Sequence, residues 1–262
     1  MFELISSVSY FNLNSFILKV TIKEHELIAQ EAARSVEGYI SEAIEAKGTA
    51  HIILATGNSQ LLFLKALRER SVSWEKVIIF HLDEYLGLDE NHPSSFRHYL
   101  KENIIKHISP KEFYPINTEG KSLDKAIEYY TQLLVYHPID IACIGIGENG
   151  HLAFNDPGVA NFNDQKSVKV VSLDQHCRKQ QYDEGWFDSI EAVPKKALTL
   201  TIPTIMSAQH ISCFVPDERK ANAVRNTLEG DIVEACPASV LRNHPSVNLY
   251  LDPPSAKLLK YQ

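Results

Sequence analysis

From Leu18 to the end of the chain, short apolar runs alternate with longer amphipathic stretches, and this alternation restricts the fold more than any other feature. Runs such as HIILA and IDIACI lack the polar-apolar period of a strand exposed on one face, so they read as strands buried on both. Stretches such as EHELIAQEAARSVEGYISEAIEA, from Glu24, carry apolar residues at helical spacing and read as helices that cover those strands. The result is an α/β chain, doubly wound.

Taken in order, LKVTI (Leu18–Ile22) predicts a strand, followed by the helix from Glu24 and a strand ending at Ala55. TGNS predicts a tight turn into a helix over LLFLKALRER. KVIIFHLDEY reads as one strand running into polar residues, GLDENHP as a loop, and SSFRHYLKENIIKHI as a helix whose start is set by Pro93 and Ser94. Helix Leu123–Val135 leads to the strand IDIACIGIG, then the strands VKVVSL and ALTLTI, then HISCFV and the helix of ERKANAVRNTLEG, and SVNLYL is the last strand. No repeat or linker divides the 262 residues, so 1–262 reads as a single domain, with 1–17 open to being an N-terminal extension. The stretch from Asp174 to Lys196 is polar, carries Arg178, Gln180, Gln181, Glu184 and Trp186, and reads as a mobile cover over a site.

Composition removes several classes of function. With 26 Lys and Arg against 33 Asp and Glu the net charge is -7, so a broad basic face for nucleic acid or anionic lipid is excluded, and only a local basic pocket for a small anion is left. The four cysteines are far apart, which argues against a zinc site or a disulfide framework and for reduced thiols in the cytoplasm. The N-terminal stretch carries Glu3 and lacks a basic leader, unlike a signal peptide or a membrane span. The histidines show no His-x-x-x-His or HExxH spacing, so no metal is expected.

In open parallel sheets, ligands bind beyond the carboxyl ends of strands, and three such ends stand out here. Thr56-Gly57-Asn58-Ser59 either points backbone N–H groups at an anion or is an ordinary turn with a serine cap. At Asp83-Glu84 two carboxylates leave a buried strand. Adjacent residues point to opposite sides, so one faces the site and the other braces the loop. In Gly145-Ile146-Gly147-Glu148-Asn149-Gly150-His151-Leu152-Ala153-Phe154-Asn155-Asp156-Pro157, glycines allow close approach of a ligand, while His151 has Asp156 within reach as an orienting acceptor. Tyr85 and Trp186 read as packing residues, and Arg178-Lys179 as a solvated helix face.

The segments ATGNSQ, FHLDEYLGL with HPSSFRHYL, IGIGENGHLAFNDPG, VPKKALTLTIPTIMSA and CPASVLRNHPSVNLYLD resemble glucosamine-6-phosphate deaminases and, more distantly, 6-phosphogluconolactonases, from about Leu18 to Asp252. The resemblance implies a Rossmann-like domain with a mostly parallel sheet and helices on both faces. It implies a sugar-phosphate substrate and conversion of an amino-sugar phosphate to a ketose phosphate and ammonia, with no metal or organic cofactor. On this chain it makes Asp83 the base between carbons 2 and 1, His151 the ring-opening group and Asp156 its orienting partner, with Glu84 and Asn149 beside them. Thr56, Gly57, Asn58 and Ser59 would cradle the phosphate, with Lys220 as countercharge. The family's phosphate-binding arginine falls at Gly185, and Arg178 is the candidate to replace it. Asn149 stands where many deaminases have an acid, and Asp156 where the family has Glu. The residues that bind an allosteric activator in some members are not recognisable, so no such activation is expected, and homo-oligomerisation is left open. The alternatives are a sugar-phosphate lactone hydrolase and a silent sugar-phosphate sensor.

Overall fold

The computed structural model describes residues 7–13, 16–119, 122–173 and 175–260. In chain order the strands are β1 (Ser7–Leu13), β2 (Phe16–Ile22), β3 (Ala50–Leu54), β4 (Val77–His81), β5 (Asp83–Tyr85), β6 (Glu112–Phe113), β7 (Ile141–Ile144), β8 (Val168–Ser172), β9 (Lys196–Leu200), β10 (His210–Val215) and β11 (Ser246–Leu251). The helices are α1 (His25–Lys47), α2 (Leu61–Arg68), α3 (Phe96–Asn103), α4 (Leu123–Tyr136), α5 (Gln175–Asp183), α6 (Ile202–Met206), α7 (Ala221–Glu229) and α8 (Pro253–Ala256). The main sheet has the order β1-β2-β11-β10-β7-β3-β4-β6. Every neighbouring pair from β2 to β6 is parallel, and β1 joins the edge antiparallel to β2. Of the stretch 1–17 read as an extension, residues 1–6, 14 and 15 lie outside the described ones.

The two faces of the sheet are buried against different helices. Ile52, Leu54, Val77, Ile79 and Cys143 pack with Ile28, Val36 and Ile40 of α1, Phe63 and Leu67 of α2, and Leu100 of α3. The alternate residues Ile53, Ile78, Phe80, Ala142 and Ile144 pack with Tyr130 and Leu134 of α4, Ile205 of α6, and Val224 and Leu228 of α7. This is why the strand runs are apolar throughout: successive side chains enter opposite layers, and each layer is dry. Among the described residues no helix is long and apolar enough to cross a membrane.

Two sequence expectations are corrected. KVIIFHLDEY is not one strand: the chain leaves the main sheet at Leu82, and β5 pairs antiparallel with β9, Asp83 opposite Thr199 and Tyr85 opposite Ala197. VKVVSL and ALTLTI do not extend the parallel sheet, because β8 and β9 pair with each other and with β5 in a separate three-stranded antiparallel sheet. The switch is made by hydrogen bonding, since β4's outer neighbour β6 has only two residues, while the Leu200 N–H donates to the Leu82 carbonyl at 2.8 Å. The backbone groups beyond β4 therefore find their partners on β9.

The order of the main sheet also places the site. The chain runs outward from β3 to β4 and β6, then returns to lay β7 on the other side of β3. The carboxyl ends of β3 and β7 thus flank a point where the winding reverses, and a crevice forms there.

Candidate active site

A crevice of about 240 Å³ opens at this switch point, walled by the segments that follow β3, β4, β7 and β10 and covered by α5 and the loop after it. Each strand end contributes one chemical element.

After β3, the chain turns at Gly57 with φ of 105°, a left-handed conformation open to glycine, and enters a 3-10 turn over Asn58–Gln60 before α2. The turn is braced from behind: Tyr99 Oη donates to the Gly57 carbonyl at 2.8 Å, and Gln60 Nε2 donates to the Phe214 carbonyl at 3.1 Å. Thr56, Gly57, Asn58 and Ser59 all line the crevice at the entrance to a helix. Asn58 Nδ2 is itself engaged, donating to the Glu184 carbonyl of the cover at 3.2 Å.

After β4, the two carboxylates separate. Asp83 lines the crevice and is 6% exposed. Burial raises its carboxyl well above the usual carboxylate range, with the nearby charges of Glu84 and Asp156 adding to the effect. Glu84, placed among the candidate catalytic residues by the sequence, lies outside the crevice. It accepts from the N–H groups of Phe96 and Arg97 at 3.2 and 3.0 Å, from Ser95 Oγ at 2.9 Å and from Arg97 Nε at 3.0 Å. It is the brace of the pair, a fully buried carboxylate holding the start of α3.

After β7, His151 lines the crevice with its Nδ1 at 2.9 Å from Asn149 Oδ1 and 3.0 Å from Asp156 Oδ1. Asn149 Nδ2 donates to Asp156 Oδ1 at 2.8 Å, which fixes the carboxamide with its oxygen toward the histidine. Both oxygens accept, so the proton of the neutral ring sits on Nδ1 and Nε2 is left as an acceptor. The ring lies over Gly147, where a Cβ would fall 2.1 Å from His151 Nε2, so this glycine is required by close approach.

After β10, Lys220 lines the crevice and is 6% exposed. Burial pulls its ammonium pKa down, against the opposing charges of Glu184 and Glu148. Arg219 beside it also reaches the crevice, tied to Asp217 at 2.9 Å and to Glu148 at 3.3 Å. Asp217, at φ of 89°, and Ala153, at φ of 52°, hold left-handed backbone in the crevice wall without being glycine, a strain that functional sites tolerate. Among the described residues no group of three or more His, Cys, Asp and Glu side chains is arranged to hold a metal ion.

Residues 23–250 match the family described as glucosamine-6-phosphate isomerases/6-phosphogluconolactonase. The chain belongs to this family. It is 36% identical over 215 residues to a glucosamine-6-phosphate deaminase of Streptococcus pneumoniae, covering 82% of this chain and 89% of the relative. A monomeric glucosamine-6-phosphate deaminase superposes with a TM-score of 0.84 at 33% identity, over 92% of this chain and 99% of that one. The 6-phosphogluconolactonase of Trypanosoma brucei superposes with a TM-score of 0.76 at 20% identity, over 94% and 100% of the two chains, and shares the fold.

Against this glucosamine-6-phosphate isomerase/6-phosphogluconolactonase frame, one further expectation is corrected. Arg178 does not reach the crevice. Its Nε donates to the Val193 carbonyl at 3.1 Å and its terminal nitrogen to the Ile190 carbonyl, so it staples the cover to the chain that follows. Among the residues of the crevice wall to which sequence reasoning gave no role are Arg219, Gln60, Phe96, His25 and Asp217. Arg219 directly precedes Lys220, and that adjacency was the available signal. Gln60 and Phe96 lie within ATGNSQ and HPSSFRHYL, two of the segments that carry the resemblance, but their residue types gave no chemical signal of their own.

Proposed function

We propose that the chain isomerises and deaminates an amino-sugar phosphate, with glucosamine 6-phosphate and water giving fructose 6-phosphate and ammonia. The observation that carries this reading is the meeting, in one crevice, of the buried carboxylate Asp83, the histidine His151 with its proton on Nδ1, and a glycine turn beside Lys220.

The phosphate sits on the turn Thr56–Ser59 with Lys220 as countercharge, and its binding orients the reacting end of the sugar toward Asp83 and His151. His151 Nε2 accepts the proton of the carbon-1 hydroxyl and returns it to the ring oxygen, so the ring opens to an aldehyde. Asp83 then removes the proton from carbon 2 as the aldehyde oxygen takes up a proton, giving an enolamine, and delivers its proton to carbon 1 as the nitrogen gives one up, which leaves a hydroxymethyl at carbon 1 and an imine at carbon 2. Water adds there and ammonia leaves, so one water is consumed and no net oxidation occurs. Burial suits Asp83 to this work, because a carboxylate raised above its usual range is a stronger base toward a weakly acidic C–H. The cover limits exchange of the carried proton with solvent.

The deaminase relatives, at 36% and 33% identity, support this reading over lactone hydrolysis, since the lactonase of Trypanosoma brucei, at 20%, shows the fold alone. The four buried free thiols support a cytoplasmic location. We read the working unit as one chain, because the crevice is walled and covered by a single chain and the deaminase it superposes on is monomeric. The test is ammonia release from glucosamine 6-phosphate by the purified protein, run beside hydrolysis of 6-phosphogluconolactone. Ammonia that disappears in Asp83→Asn is expected. Lactone turnover without ammonia would overturn the reading.

A further inference from the structure

The cover is polar, and its hydrogen bonds are distributed unevenly. Gln180, Gln181, Glu184 and Trp186 all line the crevice from above. Tyr85 Oη donates to Gln181 Oε1 at 2.7 Å. Burial pushes that phenol well above its ordinary value, so it remains a donor at every working pH. With its oxygen used, Gln181 has its Nε2 left to donate. Gln180 is arranged the opposite way: its Nε2 donates to Glu184 Oε1 at 2.9 Å, which leaves Oε1 as an acceptor. Trp186 Nε1 occupies the other oxygen of Glu184 at 3.3 Å. The cover therefore offers the crevice one amide donor and one amide acceptor, each with its orientation set by its other hydrogen bond.

The position of this pair is also defined. Tyr85 lies two residues beyond Asp83 on β5, on the same side of the strand, so Gln181 is tied to the strand that carries the base and lines the same crevice. Glu184 is linked through its carbonyl to Asn58 of the glycine turn, so Gln180 leans toward the phosphate end. What lies between a reacting carbon and a terminal phosphate in a sugar is a row of hydroxyl groups, and each hydroxyl both donates and accepts.

We propose that Gln181 and Gln180 are the specificity-determining residues of the site, donating to and accepting from the substrate hydroxyls between carbon 2 and the phosphate. This inference rests on the sugar-phosphate reading above and adds what that reading lacks, a reader for the middle of the substrate.

The test pairs side-chain and ligand deletions. Purified wild type, Gln181→Ala and Gln181→Glu are each assayed with glucosamine 6-phosphate and with its 3-deoxy and 4-deoxy analogues. Gln181→Glu keeps an acceptor for Tyr85 and cannot donate, so it separates loss of the contact from loss of the cover. Binding of the open-chain alditol 6-phosphates is measured alongside by calorimetry; these lack the carbonyl and cannot react. We expect wild type to lose about tenfold in kcat/KM and in affinity for one of the two deoxy compounds. Both variants should discriminate against that compound by less than about twofold. Losses that simply multiply, for both analogues and both variants, would overturn the proposal while ammonia release left the deaminase reading standing. Coupled alditol binding without ammonia would keep the proposal and remove the deaminase reading. Absence of both alditol binding and ammonia release would overturn both.

Discussion

Asp83 carries a conflict between stability and chemistry. Its carboxyl is raised in the folded chain by burial and by the charges of Glu84 and Asp156. A carboxyl raised on folding stabilises the fold fully below its unfolded pKa, and this contribution is lost as pH rises through the folded pKa. At neutral pH Asp83 therefore contributes less to stability than it does in acid, while ionisation is what the base requires. We predict that Asp83→Asn lowers kcat/KM for ammonia release by about 10²–10⁴-fold. The same variant should raise the melting temperature at pH 7 by about 2–4 °C, what about 1 kcal/mol makes in a chain of this size, with the gain shrinking as the buffer is acidified toward pH 4. A variant that is both inactive and less stable would show that Asp83 holds structure instead. A second residue-scale comparison separates two cations. Lys220→Ala should weaken inorganic phosphate binding, measured by calorimetry, by about tenfold or more. Arg178→Ala should leave it within about twofold, because its guanidinium is spent on the Ile190 and Val193 carbonyls. At this scale the sequence was a good guide to which positions line the crevice, since a glycine turn or a carboxylate at a strand end is a local signal. The family resemblance singled out Asp83 over Glu84 as the base, a choice the strand pattern alone did not make. Alternation says that they face opposite sides, and only the partner strand says which side is the crevice.

At the scale of elements, Glu84 ties β5 to α3. It has no exposed surface, and Arg97, its ion-pair partner at 3.0 Å, is 1% exposed. Arg97 keeps Glu119 at 2.9 Å and the Leu88 carbonyl at 2.8 Å when Glu84 is removed, but its Nε, Ser95 Oγ and the first N–H groups of α3 lose their buried acceptor, at a cost of about 3 kcal/mol. Glu84→Ala should therefore lower unfolding free energy by that amount in urea titration, and an effect confined to turnover would contradict the assignment. The cover is the complementary case, an element seated on a small apolar cluster, Cys177, Phe187 and Val193 against Tyr85, Phe96 and Phe154, and tied by polar contacts: Asn58 to the Glu184 carbonyl, Tyr85 to Gln181, Ser94 to the Trp186 carbonyl, and Arg178 to its own segment. Hydrogen exchange across residues 175–193 should quicken in Arg178→Ala while the strands of the main sheet stay protected. Helices and parallel strands were legible because burial imposes a period on them. The departure of β5 from the main sheet was not, since a short strand reads alike whichever sheet supplies its hydrogen bonds.

The whole molecule brings four strand ends, distant in sequence, to one crevice, and a single chain walls and covers it. With no second site in this reading, turnover of glucosamine 6-phosphate should follow a hyperbolic rate curve. It should not be activated by another amino-sugar phosphate, and a sigmoidal curve relieved by one would refute this. The family and the fold class followed from sequence alone, and the strand ends it singled out are the ones that line the crevice. Apolar runs bury themselves in a way that depends on local pattern, and glycine, histidine and carboxylate chemistry belongs to the residue type wherever it stands. Tertiary structure decided what each residue does with that chemistry. It turned Asp83 inward and Glu84 back onto α3, fixed the His151 proton through Asn149 and Asp156, spent Arg178 on the cover, and set Gln180 and Gln181 with opposite amide ends toward the crevice. Those outcomes depend on hydrogen-bond partners up to 96 positions away, as between Tyr85 and Gln181, and no local pattern carries the position of a partner that only the folded chain brings within reach.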